Sequence, residues 1–255
     1  MKQRKLALVT GASRGIGRGF ALRLAQDGYD LLLTARSADA LAALIDQIQE
    51  RHGVEAEAVV ADLSRPEGVE ATVRAAQRRP LSLLVNNAGV GLGDTFVEQD
   101  RTDIERMLYL NVVALASLTR ALLPQLLERR GAVVNVASQA GFFPMPRLAA
   151  YAASKAFVLH LSEALSEELK GKPITILALC PGPTETHFFA QADIDLEQTR
   201  MVTASIEQVV DEGMRALAAK KRIHVVGLSV RLSTFLPRLF PRRWITQAAG
   251  RFMHR

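Results

Sequence analysis

Two side chains with acid/base chemistry lie one helical turn apart in the middle of the chain. Tyr151 and Lys155 are separated by four residues in a segment that reads as helix, so they project from the same face. A free tyrosine has a pKa of about 10, and a nearby ammonium favours the phenolate and brings proton transfer closer to neutral pH. The pair could therefore act as a general acid/base. Taken alone, the same spacing also fits an ordinary solvated helix face.

Two further polar residues could assist such a pair. Ser138 follows a predicted strand, at the sheet edge where α/β folds bind ligands. No GxSxG elbow surrounds it and the five histidines form no motif with it, so a hydrolase is not indicated. A hydrogen bond that polarises a carbonyl oxygen suits Ser138 better. Asn111 lies among leucines in a predicted helix, where a buried amide must be hydrogen-bonded, so a structural hydrogen bond is its simplest interpretation.

A glycine-rich turn separates the first predicted strand from the first helix. It reads Thr-Gly-Ala-Ser-Arg-Gly-Ile-Gly over residues 10–17. Gly11 would allow a tight turn, Gly15 the approach of backbone to a pyrophosphate, and Gly17 close packing of helix on sheet. The N-terminus of the helix offers unpaired amides to an anion. The turn therefore predicts a dinucleotide site, the alternative being a glycine-rich turn with no ligand.

The end of the second predicted strand indicates which dinucleotide. A residue that reads the ribose diol is expected there as Asp or Glu, but Thr34-Ala35-Arg36 contains no acid. Arg36 and Arg14 can instead place two guanidinium groups near a 2′-phosphate. NADP is therefore favoured over NAD, unless both arginines serve only as surface charges.

These residues are positioned by strands and helices that alternate along the chain. The strands are nearly continuous apolar runs, as expected when both faces of a parallel sheet are covered. The pattern predicts an α/β fold, a Rossmann-type doubly wound, seven-stranded, mostly parallel sheet with helices on both faces. No linker interrupts it, so we expect a single dinucleotide-binding and catalytic domain over residues 1–227. The seven predicted strands are Lys5–Val9, Asp30–Thr34, Glu55–Val60, Leu81–Val85, Ala132–Val136, Ile174–Leu179 and Ile223–Val226.

The composition is that of an ordinary globular protein. Of 255 residues, 49% are apolar and 23% charged, which argues against a disordered chain. The single cysteine, Cys180, excludes an internal disulfide and a cysteine-based metal cluster, and no metal site is expected. The apolar run near the start is too short for a signal peptide and no run approaches 18 residues, so a cytoplasmic protein without a membrane-spanning helix is expected.

Taken together, these motifs resemble those of the short-chain dehydrogenase/reductase family, over residues 5 to about 227. The turn at 10–17 resembles the family's TGxxxGxG element, Asn86-Asn87-Ala88-Gly89 its NNAG element, and Asn111, Ser138, Tyr151 and Lys155 its catalytic tetrad in order and spacing. Asp62 fits the residue that contacts adenine, and Pro181-Gly182 with Thr184 and Thr186 fits the segment that closes on the nicotinamide. The cofactor-binding residues implied are Gly11, Ser13, Arg14, Gly15, Ile16, Gly17, Arg36, Asp62, Leu63, Asn87, Ala88, Gly89, Tyr151, Lys155, Pro181, Gly182, Thr184 and Thr186.

The resemblance implies hydride transfer between NADPH and a carbonyl or alcohol. Tyr151 would donate the proton, Ser138 would stabilise the oxygen, and Lys155 would lower the pKa of Tyr151 and hydrogen-bond the nicotinamide ribose. Asn111 would hold a water that links Lys155 to solvent. A homodimer or homotetramer is implied as well. The alternative is a non-catalytic nucleotide-binding scaffold or regulatory protein with the same fold, which would have no chemical need for the whole tetrad.

Substrate specificity is expected from three segments, at residues 91–96, 140–148 and 187–203. Their aromatic residues and methionine make a hydrophobic pocket plausible for a small apolar substrate. These residues are Phe142, Phe143, Met145, Phe188 and Phe189.

The chain ends in a basic amphipathic extension, residues 228–255. Residues 220–255 contain nine Lys and Arg and no acid, which leaves 23 basic and 26 acidic residues, a net charge of −3, in the first 219. Apolar residues recur at helical spacing between prolines at 237 and 241. The extension could pack on the domain over the substrate cleft, contact a second subunit, or attach to an anionic membrane surface. Nucleic-acid binding is not expected, because its basic residues alternate with large apolar ones.

Overall fold

The computed structural model describes residues 4–185 and 203–253. Seven strands alternate with helices along the chain, close to the predicted bounds. The strands are β1 Leu6–Thr10, β2 Asp30–Ala35, β3 Ala56–Val60, β4 Leu81–Asn86, β5 Ala132–Val136, β6 Thr175–Cys180 and β7 Ile223–Val225. The helices of the domain are α1 Gly15–Gln26, α2 Ala38–His52, α3 Pro66–Ala76, α4 Arg101–Leu108, a π-helix Tyr109–Ala114, α5 Leu115–Glu128, a 3-10 helix Gln139–Phe142, α6 Ala149–Glu168 and α7 Ile206–Ala218.

All seven strands form one sheet in the order β3-β2-β1-β4-β5-β6-β7. Every named strand pair is parallel, so the sheet is more uniform than the mostly parallel one predicted. The strand order reverses direction between β1 and β4, which are hydrogen-bonded neighbours. The carboxyl ends of these two strands therefore flank the switch point where doubly wound folds bind their ligands.

Both faces of the sheet are covered by helices, which explains the uninterrupted apolar strands. On one face Val9, Leu31 and Leu33 pack with Phe20 of α1 and Leu44 of α2. On the other face, Leu8, Leu32 and Leu84 pack with Leu122 and Leu126 of α5. Alternate residues of β1 and β2 thus enter two different cores, so an apolar side chain is needed at almost every position.

Residues Arg101–Glu128 form one long helical stretch in which α4, the π-helix and α5 follow one another. This stretch is long and apolar enough to cross a membrane by length and composition alone, with a mean hydropathy of 1.4 in its most apolar window. It contains charged residues at intervals, which is why no continuous apolar run was visible in the sequence. Its Leu122 and Leu126 lie in the domain core, and a core helix passes the same test, so this is weak evidence for a span.

The C-terminal extension is helical, and its two α-helices are separated by a short segment that contains Pro237 and Pro241. It consists of α8 Leu228–Phe235, a 3-10 helix Leu236–Leu239 and α9 Arg242–Met253. Arg231 of α8 is bound to the domain: its guanidinium donates to Val225 O at 2.8 Å and to Glu212 at 3.2 Å. The same Glu212 carboxylate is 2.8 Å from His224 Nε2. The first helix of the extension is thus tied to α7 and β7.

Candidate active site

The glycine-rich turn and the segment after β4 are tied together at the switch point. Thr10 Oγ1 accepts hydrogen bonds from the backbone amides of Asn87 and Ala88, both at 3.0 Å. In return Asn87 Nδ2 donates to Thr10 O at 2.9 Å and to Gly11 O at 3.2 Å. These four hydrogen bonds therefore hold the two segments together beside the cleft. Thr10 was not among the predicted site residues, although its position before Gly11 could have suggested this role.

The glycines of this turn are required by its geometry. Gly11 and Gly15 have φ angles of 65° and 55°, in the region that favours glycine. A Cβ on Gly17 would lie 2.3 Å from Gly11 O, so Gly17 allows α1 to approach the turn. Among the described residues no side chain caps the N-terminus of α1. Its first amides are therefore available to an anion, and the turn fits the pyrophosphate of a dinucleotide.

The cleft extends from this turn towards the ends of β2 and β3, where Arg14, Arg36 and Asp62 line it. Asp62 accepts hydrogen bonds from Ser64 N at 3.0 Å and Ser64 Oγ at 2.8 Å. Burial tends to raise the pKa of Asp62, but the bonds from Ser64 and the charges of Arg36 and Arg65 hold this pKa below its usual value. Among ion pairs between described residues, none involves Arg14 or Arg36. Both guanidinium groups can therefore meet a phosphate.

At the other end of the cleft Tyr151, Ser138 and Lys155 come together. The side chains of Tyr151 and Ser138 are hydrogen-bonded to each other. Ser138 caps the short 3-10 helix by accepting from Ala140 N at 3.1 Å, which holds its Oγ in place and leaves the O–H free to rotate. Lys155 Nζ donates to Val136 O at 2.9 Å and lies 5.9 Å from the centre of the Tyr151 ring. The helix α6 and the end of β5 thus hold the three groups against one another.

Burial shifts the pKa values of this pair more strongly than the two residues shift each other. Tyr151 is 7% exposed, and burial raises its pKa to about 12, opposed by the hydrogen bond to Ser138. Lys155 is 5% exposed, and burial lowers its pKa to about 8. Cys180 lies near Lys155, but burial raises the pKa of its thiol to about 12, so it is neutral and offers no counter-charge. The pKa of Tyr151 is therefore raised by desolvation, whereas the spacing of the pair predicted that Lys155 would lower it.

Asn111 lies in the π-helix and bonds to the backbone that borders the cleft. Its Nδ2 donates to Val90 O at 2.9 Å and to Ser154 Oγ at 3.1 Å, and its Oδ1 accepts from Val90 N at 3.1 Å. A Cβ on Gly89 would lie 3.1 Å from Asn111 Oδ1 and 3.4 Å from Lys155 Nζ. Asn111 therefore has the structural role considered first, and the backbone segment that it binds lies beside Lys155.

One cavity of about 420 Å³ joins these features. Of the predicted site residues, Gly17 and Asn111 lie behind its wall, and Thr186 lies outside the described residues. The cavity is also lined by apolar and amide side chains. Some of these residues were predicted only as part of a longer segment, and others were not predicted. The predicted residues that line it are Gly11, Ser13, Arg14, Gly15, Ile16, Arg36, Asp62, Leu63, Asn87, Ala88, Gly89, Ser138, Tyr151, Lys155, Pro181, Gly182 and Thr184. The missed ones include Val90, Met107 and Gln139, whereas Leu92 and Leu148 belong to the segments expected to determine substrate specificity.

The aromatic residues and the methionine proposed for the substrate pocket lie in different environments. Met145 lines the cavity. Phe143 packs beside it with the cluster that contains Tyr151. Phe142 instead packs behind the site, in the cluster formed by Leu115, Val158 and other residues of α5, α6 and β6, because the 3-10 helix turns it inward. Phe188 and Phe189 lie outside the described residues.

The short chain dehydrogenase family model matches residues 5–197 of this chain. The chain belongs to this family. The very-long-chain 3-oxoacyl-CoA reductase of Anas platyrhynchos is 36% identical over 181 residues, 69% of this chain, and the match spans 58% of that relative's length. A short-chain dehydrogenase from Sphingobium yanoikuyae in complex with NADPH superposes with a TM-score of 0.84 and 33% identity, covering 92% of this chain and 93% of that one. One from Burkholderia phymatum in complex with NAD gives 0.83 and 27%, covering 93% and 94%.

The family confirms the predicted fold and reaction class. This short-chain dehydrogenase has the Rossmann-type sheet of its structural neighbours and is an NAD(P)-dependent oxidoreductase of carbonyl and alcohol groups. Neighbours hold NADPH in one case and NAD in another, so membership shows a nicotinamide cofactor without choosing between the two.

Proposed function

We propose that this short-chain dehydrogenase acts as a reductase of carbonyl compounds, with Tyr151 as the proton donor. The observation that carries the proposal is the hydrogen-bonded Tyr151 and Ser138 pair, with Lys155 behind it, at one end of a cleft whose other end fits a dinucleotide. When bound, the nicotinamide supplies the hydride. With a pKa of about 12, Tyr151 is a protonated phenol at neutral pH, which favours its role as an acid in the reducing direction.

The remaining groups stabilise charge around that proton transfer. Ser138 is held by Ala140 N, so its hydroxyl can turn from Tyr151 to a substrate oxygen without moving its backbone. With a pKa of about 8, Lys155 is mostly protonated at neutral pH, so its charge stabilises the phenolate left after proton transfer. Asn111 positions Gly89 and Val90 beside this ammonium through its bonds to Val90. By these contacts each member of the tetrad has a role in reduction.

The test is a panel of ketones and aldehydes followed by the loss of nicotinamide absorbance. Wild type should reduce at least one class of carbonyl, and Ser138→Ala should lower kcat while leaving cofactor affinity nearly unchanged. Ser162→Ala is a matched control, because Ser162 is a buried serine farther along α6 that does not line the cleft; its hydroxyl donates to Val158 O and accepts from Asn135 Nδ2. Equal losses in the two serine variants would argue against a direct role for Ser138.

We infer further that NADPH is preferred to NADH. Arg14 and Arg36 line the cleft beside Asp62 and have no ion-pair partner among the described residues. The position before Arg36 is alanine, so no carboxylate is placed to bind a ribose diol or repel a phosphate there. An arginine pair of this kind suits the doubly charged 2′-phosphate.

Cofactor preference is tested by measuring the dissociation constants of both cofactors by nucleotide fluorescence. We expect tighter NADPH binding in wild type and loss of that preference in Arg36→Asp. Arg51→Asp makes the same charge change in the last turn of α2, where the side chain is exposed and away from the cleft, and should leave the preference intact. Equal affinities in wild type, or a preference that survives Arg36→Asp, would refute the inference.

We also propose a cytoplasmic homodimer or homotetramer. Support comes from exposed apolar side chains on the outer helices, at Leu108, Val113 and Phe157. Light scattering after size-exclusion chromatography should give twice or four times the mass of 27.8 kDa. A monomer at micromolar concentration would contradict this proposal.

Attachment to an anionic membrane surface is a further candidate role for the extension. Leu228, Leu232, Phe235 and Leu239 are more than half exposed and recur at three- and four-residue spacing, among arginines and without an acid. Flotation with vesicles that contain phosphatidylserine should recover wild type, and Leu232→Ser with Leu239→Ser should abolish recovery. Equal recovery with purely phosphatidylcholine vesicles would exclude the electrostatic part of the proposal.

A further inference from the structure

A second cavity, of about 620 Å³, lies beside the catalytic cleft under the C-terminal extension. This groove is walled on one side by the segment after β5 and on the other by α8 and α9. Its size is that of a typical small-molecule site. The groove is lined by Gln139, Phe143, Met145, Pro183, Ser229, Val230, Ser233, Pro237, Phe240, Trp244, Ile245, Ala248 and Ala249.

The groove borders the cleft that contains the catalytic tyrosine. Gln139, Met145 and Pro183 line both cavities. Gln139 follows Ser138 directly, and Met145 belongs to the same apolar cluster as Tyr151. A molecule in the groove therefore lies against residues that also border the cleft, and a long chain can extend from one space towards the other.

The extension is fixed over the cleft at several points, so the groove is a formed feature. A Cβ on Gly182 would lie 2.7 Å from Val230 Cγ2, which shows how closely α8 packs on the segment after β6. At the other end a Cβ on Gly250 would lie 3.4 Å from Pro146 Cγ, so α9 rests on the loop opposite. Arg231 ties α8 to Glu212 of α7.

The chemistry of the lining is apolar and uncharged. Among the described lining residues none carries a charge, and the polar ones are Gln139, Ser229 and Ser233. Phe240 and Trp244 are each 52% exposed, which is costly for such large side chains in water. The basic residues of α9 that precede Trp244, Arg242 and Arg243, do not line the groove. The surface therefore favours a hydrocarbon and disfavours an anion or a sugar.

The second wall of the groove lies beyond the part of the chain that the family model matches. The family match ends at residue 197, whereas the wall from Ser229 to Ala249 lies wholly beyond it. The catalytic groups come from the shared domain, and the second wall comes from the extension. The groove can therefore select a substrate through residues other than those that carry out the reaction.

We propose that the groove binds the extended hydrocarbon chain of a substrate whose carbonyl carbon lies at Tyr151. This inference rests on the proposed carbonyl reduction and names its substrate class: a ketone with a long unbranched apolar chain. The groove binds the chain, and the residues of the tetrad act on the carbonyl. Each methylene that enters the groove leaves water, so affinity rises about three- to fourfold per carbon until the groove is filled.

Trp244 allows the groove to be tested without catalysis. It is the only tryptophan of the chain and it lines the groove. Titration with methyl ketones of increasing chain length should shift its emission to shorter wavelength, with dissociation constants that fall as the chain grows. An emission that does not respond to any chain length, or constants that are independent of length, would overturn the proposal.

A matched pair of variants on α9 locates the binding. Ala249→Glu places a charge in the groove, whereas Gln247→Glu adds the same charge to an exposed residue of the same helix that does not line it. Ala249→Glu should abolish the chain-length dependence of both kcat/KM and the Trp244 titration, while kcat/KM for a short ketone stays within about twofold of wild type. Gln247→Glu should behave as wild type. Retention of full chain-length dependence in Ala249→Glu would overturn the proposal.

Failure of this inference can be separated from failure of the proposed function. If no carbonyl is reduced but Trp244 still reports tighter binding of longer chains that Ala249→Glu abolishes, the groove is supported and the reaction is wrong. If short ketones are reduced and longer ones bind and react no better, the reaction is supported and the groove proposal is wrong. Circular dichroism of Ala249→Glu, expected to match wild type, shows that a loss is not due to unfolding.

Discussion

Replacing Lys155 by methionine should make the protein more stable near neutral pH while removing its activity. Lys155 is 5% exposed and burial lowers its pKa from 10.5 to about 8. The Lys155 side chain then holds its proton more tightly in the unfolded chain than in the native one. A charged Lys155 therefore opposes folding at pH values below about 8. The shift corresponds to a cost of about 3 kcal/mol near neutral pH. Methionine fills a similar volume without the charge.

The sign of the pH dependence distinguishes this effect from simple repacking. Between pH 8 and 10.5 the native state binds fewer protons than the unfolded state, so the cost disappears as pH rises. The advantage of Lys155→Met over wild type should therefore shrink by about 2 kcal/mol between about pH 7 and about pH 9.5. Loss of the bond to Val136 O lowers the advantage at both pH values and leaves the difference between them unchanged.

Urea unfolding followed by circular dichroism at the two pH values measures this difference. Lys172→Met is the control, because Lys172 is exposed and its replacement should give the same free energy difference at both values. A Lys155→Met effect that is independent of pH would refute the argument that burial of the charge opposes folding. An advantage that grows with pH would show that the sign of the pKa shift is wrong.

Three further changes test other parts of the site and the extension. Tyr151→Phe should lower kcat by about 10²- to 10⁴-fold while the dissociation constant of NADPH, measured by fluorescence, changes little; retained turnover would identify another acid. Gly17→Ala should prevent dinucleotide binding in calorimetry or prevent folding, because its Cβ would lie 2.3 Å from Gly11 O; normal binding would show that the turn can move. Glu212→Gln removes the carboxylate that Arg231 and His224 share. It should lower the free energy of unfolding by about 1–3 kcal/mol and speed tryptic cleavage of the extension. Glu207→Gln in the first turn of α7 is the control.

The fold could be predicted from the sequence because each strand had to be apolar on both faces. Leu8 and Val9 enter different cores, and the same holds for Leu32 and Leu33. This demand leaves a run of adjacent apolar residues that is visible without any structure. The strand bounds consequently agree with the prediction to within one residue at every end.

Local conformations that depend on residues far away in the sequence could not be predicted in the same way. Asn111 was expected in a regular helix, but the structure has a π-helix at Tyr109–Ala114. A π-turn shifts the register by one residue, and here it accompanies the bonds of Asn111 to Val90, a segment reached only after β4. Phe142 was misassigned for a related reason, since the direction in which a 3-10 helix turns its side chains depends on what packs behind it.

The opposite pKa shifts of Tyr151 and Lys155 have one cause, and this cause was absent from the sequence argument. Spacing alone suggested that the ammonium makes the phenol more acidic, which treats both groups as if they were in water. Burial removes water from both, so it disfavours the phenolate and the ammonium alike and raises one pKa while lowering the other. A pair in which both charged forms are disfavoured is suited to reduction. Proton donation by Tyr151 creates a phenolate near the Lys155 ammonium, and the two opposite charges then stabilise each other. The charge of Lys155 therefore matters more after proton transfer than before it, and Lys155→Met should slow the reaction more than it changes the affinity for a ketone.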